Sequence, residues 1–209
     1  MLHEHILVID TETGGLDPHT HSILSIGLAS WCGTHTREIF VLEPELQTNP
    51  RSMEINRIDL DWIREHGVSP ERACEQIDDF IAQLTHRPLT LAGHNISFDL
   101  AFLRRLYRLA GRAQPSAFSH RSLDTHSLLW LLAQQGHLPP QVCSSDGAFS
   151  YFDVSPPDEL RHTALGDAIA TRLMLRKLLD YMSEISSAHL ESPEASLEST
   201  TALAPKVQS

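Results

Sequence analysis

The sequence predicts an α/β protein, and three observations predict it. Apolar, β-branched runs of strand length alternate with helix-period apolar stripes along its 209 residues. Twice, near 89–93 and near 122–125, a short strand-like run leads directly into a helical pattern. A hydrophobic content of 41% with 21% charged residues fits a soluble globular chain, and no apolar run approaches the ~20 residues of a membrane span.

Residues 5–10, about 22–32 and about 35–43 read as three successive strands, with Gly33 in a turn, as in an antiparallel meander. The 44–50 segment, bounded by prolines, interrupts the pattern. Ser69-Pro70-Glu71 reads as a helix start: Ser caps, Pro takes the first position and Glu faces the dipole. Cys74, Ile77, Ile81 and Leu84 follow at helical spacing and form a core stripe. The run 89–93 is a buried strand feeding a helix to about 110, which puts Asp99 in the first turn. On that helix Arg104, Arg108 and Arg112 share one face with Arg105 beside them, and no Asp or Glu occurs from Leu100 to Leu123. A solvated face is the ordinary reading of that cluster; a groove that tracks phosphates is the sharper one.

Asp124 ends a further strand and reads as the N-cap of a Leu-rich helix to about 135. Residues 136–158, with Pro139-Pro140, Pro156-Pro157 and several Ser and Gly, read as a long loop or lid. Phe149, Tyr151 and Phe152 are its expected hydrophobic anchor, with base stacking as the alternative. A helix through about 182 then opens behind Thr163 as N-cap, with Leu165, Ile169 and Leu173 as its expected buried stripe. His162 and Asp167 are five apart, so they converge only if His162 sits in the loop and Asp167 in the first turns. This bounds a catalytic domain of 1–182, followed over 183–209 by a flexible Ser/Glu-rich tail suited to docking a protein partner.

A net charge of −11 argues against nucleic-acid binding by bulk electrostatics, though not against an acidic site neutralised by metal. Cys32, Cys74 and Cys143 are scattered and form no Cys-x-x-Cys pair, which points to free thiols in a reducing compartment such as the cytoplasm. His and Glu stand where a signal peptide would carry Lys or Arg. Neither a P-loop nor a Gly-x-Gly-x-x-Gly is present.

The chemistry centres on the first strand. Asp10 and Glu12 are two apart, so a strand projects both to one face, where their repulsion favours a divalent cation between them. Asp99 and Asp167 add two more carboxylates at element ends, with His162 near the last. Four hard oxygen ligands and an imidazole are the inventory of two-metal phosphoryl transfer with Mg²⁺ or Mn²⁺. A histidine has the unperturbed pKa that suits a general base at neutral pH. His3-x-His5 and His19-x-His21 lack a recognisable zinc spacing and read as surface histidines.

Three stretches resemble the motifs of the DEDDh, DnaQ-like family of 3′-to-5′ exonucleases: Asp10-Thr11-Glu12-Thr13-Gly14-Gly15-Leu16, His94-Asn95-x-x-Phe98-Asp99-x-x-Phe102-Leu103 and His162-x-Ala164-Leu165-x-Asp167-Ala168. They occur in the family's order over nearly all of 5–182. The resemblance implies a ribonuclease H-like fold, a mixed five-stranded sheet flanked by helices, and release of 5′-mononucleotides from a 3′ end. It implies that Asp10 bridges two metals, that Glu12 and Asp167 complete the nucleophile-side ion, and that Asp99 serves the other partly through water. His162 is then the general base, Thr11, Thr13, Gly15 and Leu16 lie against the terminal nucleotide, and His94, Asn95 and Phe98 shape the same pocket. Relatives usually carry a short Leu-containing helix where this chain has its Pro- and Ser-rich 136–158 stretch. The expected substrate is single-stranded or frayed DNA, with a role in proofreading or repair and a DNA polymerase subunit as a partner for the tail. RNA trimming is the alternative, and a catalytically silent nucleic-acid-binding module the remaining one.

Overall fold

The computed structural model describes residues 2–190. The chain divides into two compact units, 1–175 and 176–209, and the sheet and its site belong to the first. Five strands form one mixed sheet: β1 (Ile6–Thr13), β2 (Ile23–Ser30), β3 (Thr36–Phe40), β4 (Leu89–Gly93) and β5 (Phe118–Asp124). Their spatial order is β3-β2-β1-β4-β5. The first three are antiparallel neighbours, and β4 and β5 add parallel to β1. The predicted α/β class, the antiparallel start and the five-stranded mixed sheet are all present.

The register decides where the site lies. β4 pairs with β1 only as far as Val8↔Ala92, whereas β2 accompanies β1 to its end, with Asp10 opposite Gly27 and Glu12 opposite Ser25. Asp10 and Glu12 therefore project beyond the carboxyl end of β4, in the crevice at which the strand order reverses.

Helices cover both faces. α1 (Pro50–Asn56) and α2 (Leu60–His66) fill a stretch for which the sequence predicts no element; Asn49 and Asp59 cap them. The buried Asn56 donates to the carbonyl of Thr13 at 3.1 Å and so steadies the end of β1. α3 (Pro70–Ala82) starts as predicted, with Ser69 Oγ accepting from the Arg72 amide, and it buries Cys74, Ile77 and Ile81. α4 (Ile96–Leu109) follows β4, and α5 (Thr125–Gln134) follows β5 with Asp124 as its N-cap. The core between the sheet and α3 and α4 holds Leu7, Ile9, Phe80, Phe102 and Tyr107.

Three expectations need correction. Residues 136–158 are not one loop: a 3₁₀ turn (Pro140–Cys143) is followed by α6 (Ser145–Tyr151), capped by Ser144. Phe149 and Phe152 are buried and anchor the segment, while Tyr151 is half exposed. Helical propensity there is weak, and tertiary burial of Phe149 overrides it. Next, α7 (Ala164–Leu190) extends beyond the expected 182, so the tail's first residues are helical, and residues 191–209 lie outside the described region. Lastly, the first turns of the helix bury Ala164, Ala168, Ala170 and Thr171, and Met174 and Leu175 are buried further on, whereas Leu173 is 37% exposed. Close approach explains the small residues at the start: a Cβ on Gly27 would stand 2.0 Å from the Ala164 carbonyl oxygen, so little room is left between the first turn of α7 and β2. Ile169 and Leu173 instead line a cavity of about 160 Å³ with Val154, Pro156, Pro157 and Leu160.

All three cysteines are free thiols, with Cys74 in the core. No helix among the described residues is long and apolar enough to cross a membrane.

Candidate active site

Four elements bring the acidic residues together. β1 contributes Asp10 and Glu12 from one face, α7 contributes Asp167 from its first turn, and Gly27 lets that turn lie close to the sheet. One ligand atom from each of these three carboxylates lies within 4.8 Å of the others. The fourth element, α4, holds Asp99 in its first turn, where Thr11 Oγ1 donates to Asp99 Oδ1 at 2.8 Å. Thr11 and Asp99 are both buried. Asp99 stands outside the tight trio but still acts on it electrostatically.

Charge crowding is recorded in the proton affinities. Burial first, then the charges of Asp99, Glu12 and Asp167, pushes the Asp10 carboxyl well above the ordinary range. Burial raises Glu12 to about 8, assisted by Asp167, and raises Asp99 to about 7. Asp167 is raised by burial despite an ion pair with Arg161. Neither Asp10 nor Glu12 has a side-chain hydrogen bond among the described residues, and Asp167 Oδ1 is buried with no partner. A buried, unpartnered carboxylate oxygen among two further carboxylates fits hard divalent cations such as Mg²⁺ or Mn²⁺.

His162 lies in the loop before α7, half-buried, with φ +63°. A left-handed histidine is strained, and such strain gathers where a side chain must be aimed. Thr163 caps the helix by accepting from the Gly166 amide at 3.1 Å, which leaves His162 in the loop and Asp167 in the first turn.

The other expected site residues lie on β1, on the turn after it and around the start of α4. Thr13 donates to the Gly15 carbonyl at 2.7 Å and shapes the turn, and Leu16 at its tip is 78% exposed, an apolar side chain facing solvent. His94 Nδ1 lies 3.2 Å from Thr125 Oγ1 and its ring is edge-on to His126. Asn95 takes a left-handed φ of +63° and its amide donates to Asp124 Oδ1. Phe98 packs against Phe102 and the core.

The basic helix face divides on inspection. Arg105 is buried and forked onto Glu43, and Arg112 pairs with Asp78, so acids distant in sequence supply the missing counter-charges. Arg104 instead lines a cavity of about 200 Å³ with Gln114, Ser119, His120 and Arg121, and no acid lines it.

Sequence reasoning missed Gly27, Arg161 and Glu38, whose carboxylate accepts from the Leu165 amide at 3.4 Å. The glycine inside an otherwise apolar strand was a usable signal for Gly27. Nothing local marks the other two: Glu38 meets Leu165 across 127 positions, and the turn that brings Arg161 to Asp167, six residues on, is not a helical spacing.

Comparison with known proteins gives the family. The RNase_T family model, described as exonuclease, matches residues 7–174. A DNA polymerase III subunit epsilon-like protein of Rhodobacter capsulatus is 38% identical over 91 residues, 43% of this chain. A DNA polymerase III subunit epsilon of Rickettsia felis is 28% identical over 173 residues, 78% of this chain. The match spans 12% of the first relative's length and 68% of the second's. Among solved structures, E. coli Exonuclease I in complex with a dT13 oligonucleotide superposes with a TM-score of 0.68 at 16% identity, over 88% of this chain and 43% of that one. The nuclease domain of 3′hExo, a DEDDh family member bound to rAMP, superposes at 0.64 and 17% identity, over 84% of this chain and 92% of that one. At such identities the likeness speaks to the fold, whereas the family match rests on the sequence. The chain belongs to the RNase_T exonuclease family.

Proposed function

We propose that this chain is a divalent-metal-dependent 3′→5′ exonuclease that removes 5′-mononucleotides from single-stranded or frayed DNA. The observation that carries the reading is the trio Asp10, Glu12 and Asp167, within 4.8 Å and short of counter-charge. Two bound Mg²⁺ or Mn²⁺ ions supply an activated water and a sink for charge on the leaving oxygen. Asp10, Glu12 and Asp167 would hold the ion that activates the water, and Asp99, steadied by Thr11, would help to hold the second. His162 takes the proton from the attacking water at an imidazole nitrogen and is aimed by its strained backbone. Thr11, Thr13, Gly15 and Leu16 border the terminal nucleotide from the β1 side, and His94, Asn95 and Phe98 from the α4 side. A frayed end suits such a pocket, because a paired nucleotide must leave its partner before it enters a crevice at strand ends.

Charge distribution supports a nucleic-acid substrate in spite of the net −11. Arg104, His120 and Arg121 border one acid-free cavity, a local track for phosphates on an otherwise acidic molecule. Similarity to two epsilon-named relatives favours DNA and a DNA polymerase partner, with proofreading or repair as the role. RNA trimming is the second reading, favoured by one observation: the 3′hExo domain of the same fold was solved with rAMP.

The test offers 5′-labelled single-stranded DNA and RNA of one sequence to the chain and to Asp10→Ala, with Mg²⁺, Mn²⁺ or EDTA. A metal-dependent ladder shortening from the 3′ end, absent in Asp10→Ala, is expected, and the faster substrate selects the sugar. Equal cleavage by Asp10→Ala would sink the proposal.

A further inference from the structure

Arg161 belongs to none of the recognised motif positions, yet its guanidinium joins the acid cluster to α6. Nε and Nη2 donate to Asp146 Oδ1 at 3.0 and 2.6 Å, and Nη2 also donates to Ser145 Oγ at 3.1 Å. Nη1 donates to Asp167 Oδ2. The group lies 5.3 Å from the centre of the Phe149 ring, itself buried as the anchor of α6. A guanidinium is a rigid planar fork, so fixing two of its nitrogens on α6 fixes the direction of the third. That third nitrogen holds one oxygen of Asp167 and leaves Oδ1, buried and unpartnered, as the oxygen free for a ligand.

Two effects of Arg161 on a cation oppose each other. Its positive charge repels the ion, while its hydrogen bond prevents Asp167 from rotating about its broad terminal torsion. Asp146, at 2.6 Å, offsets part of that charge, though Arg161 still acts on Asp10 and Glu12, whose proton affinities it lowers. The orienting effect has no such offset, and the carboxylate's direction is what a metal needs.

We propose that Arg161 is a positioning residue that presents Asp167 to the metal, and that through Asp146 it makes α6 part of the metal site. The inference rests on the metal-dependent reading above and concerns ion binding before any nucleic acid arrives. Asp146 is 75% exposed in its side chain and is remote from the trio in sequence, so removing it tests the relay without touching a ligand.

The experiment is Mn²⁺ titration calorimetry on the full chain without nucleic acid, with thermal unfolding in EDTA to show that each variant is folded. Arg161→Ala should weaken Mn²⁺ binding about 10- to 100-fold, the range for removal of outer-sphere partners. Arg161→Lys should resemble it, since it keeps the charge and loses the fork. Asp146→Ala should weaken binding severalfold, and adding it to Arg161→Ala should cost nothing more, because it acts only through Arg161. If Arg161→Ala does not fold, Asp146→Ala and Arg161→Lys carry the test. Unchanged affinity in Asp146→Ala, tighter binding in Arg161→Ala, or an Asp146 effect that persists without Arg161 would overturn the proposal. A wild-type chain that binds no Mn²⁺ would remove the metal reading and this inference with it, whereas normal wild-type binding with an indifferent Asp146→Ala removes the inference alone.

Discussion

Two groups of buried charge lie on this sheet, and they are built in opposite ways. At one, Arg105 Nε and Nη2 fork onto both oxygens of Glu43 at 2.9 and 2.6 Å, while Nη1 holds the carbonyls of Pro18 and His19. Glu43 also accepts from Ser22 Oγ and the Ile23 amide. At the other, Asp10, Glu12 and Asp167 crowd together with the Arg161 guanidinium to offset them, and one oxygen is left unpaired. The first group is balanced and pins the loop that follows β1. The second is frustrated, and its free energy is lowered only by a ligand the chain does not contain. A buried charge that is fully partnered reads as architecture, and one that is under-partnered reads as a site.

Four measurements test that contrast. The largest effect is expected from Asp10→Ala. It should abolish exonuclease activity, by roughly three orders of magnitude or more if removing a ligand disables both ions. In EDTA the same variant should be as stable as the parent or slightly more so, since a repelling carboxylate is gone. Loss of folding in a urea titration would contradict the frustrated reading.

Arg105→Ala should behave in the reverse sense. It strands Glu43 in the interior and should cost about 3–5 kcal/mol in urea unfolding. Replacing both partners with apolar residues of similar volume, Arg105→Met with Glu43→Leu, should recover much of that loss. A double variant no more stable than Arg105→Ala would show that the pair's hold on the loop matters more than its charge balance.

The third effect is a pH dependence. Glu12 titrates near 4.5 when unfolded and at about 8 in the folded chain, so between these values the folded state holds the additional proton. Stability in EDTA should therefore fall as pH rises from about 4.5 to about 8. Mg²⁺ or Mn²⁺ should reverse that slope, because the ionised carboxylates then gain a partner. Urea midpoints at pH 5 and pH 8, with and without metal, settle the sign.

The smallest effect is expected at the acid-free cavity. Arg104→Ala with Arg121→Ala should leave turnover at saturating substrate nearly unchanged and weaken binding of single strands. It should also lower the slope of log affinity against log salt by up to about 1.4, at ~0.7 for each phosphate no longer neutralised. An unchanged slope would return both arginines to a solvated surface.

Local features were legible in the chain alone. Alternation in β1 put Asp10 and Glu12 on one face, Ser69-Pro70-Glu71 started α3, and the five-residue gap placed His162 in a loop and Asp167 in a helix. These follow from periods and caps that act within a few residues, so a linear reading captures them. Which charges meet was settled by folding. Arg105 found Glu43 across 62 positions, Arg112 found Asp78 across 34, and Thr11 found Asp99 across 88. The same holds for the start of α7, where Gly27 admits Ala164 so close to β2 that alanines are buried and Leu165 and Ile169 are only half-buried, whereas Met174 and Leu175 are buried farther along. Periodicity says that a helix has an apolar side; the distance to its neighbour decides which residues fit there. Arg161 marks the limit: a loop arginine in the chain, it becomes the partner of a candidate metal ligand because the fold lets its guanidinium reach both Asp146 of α6 and Asp167 of α7.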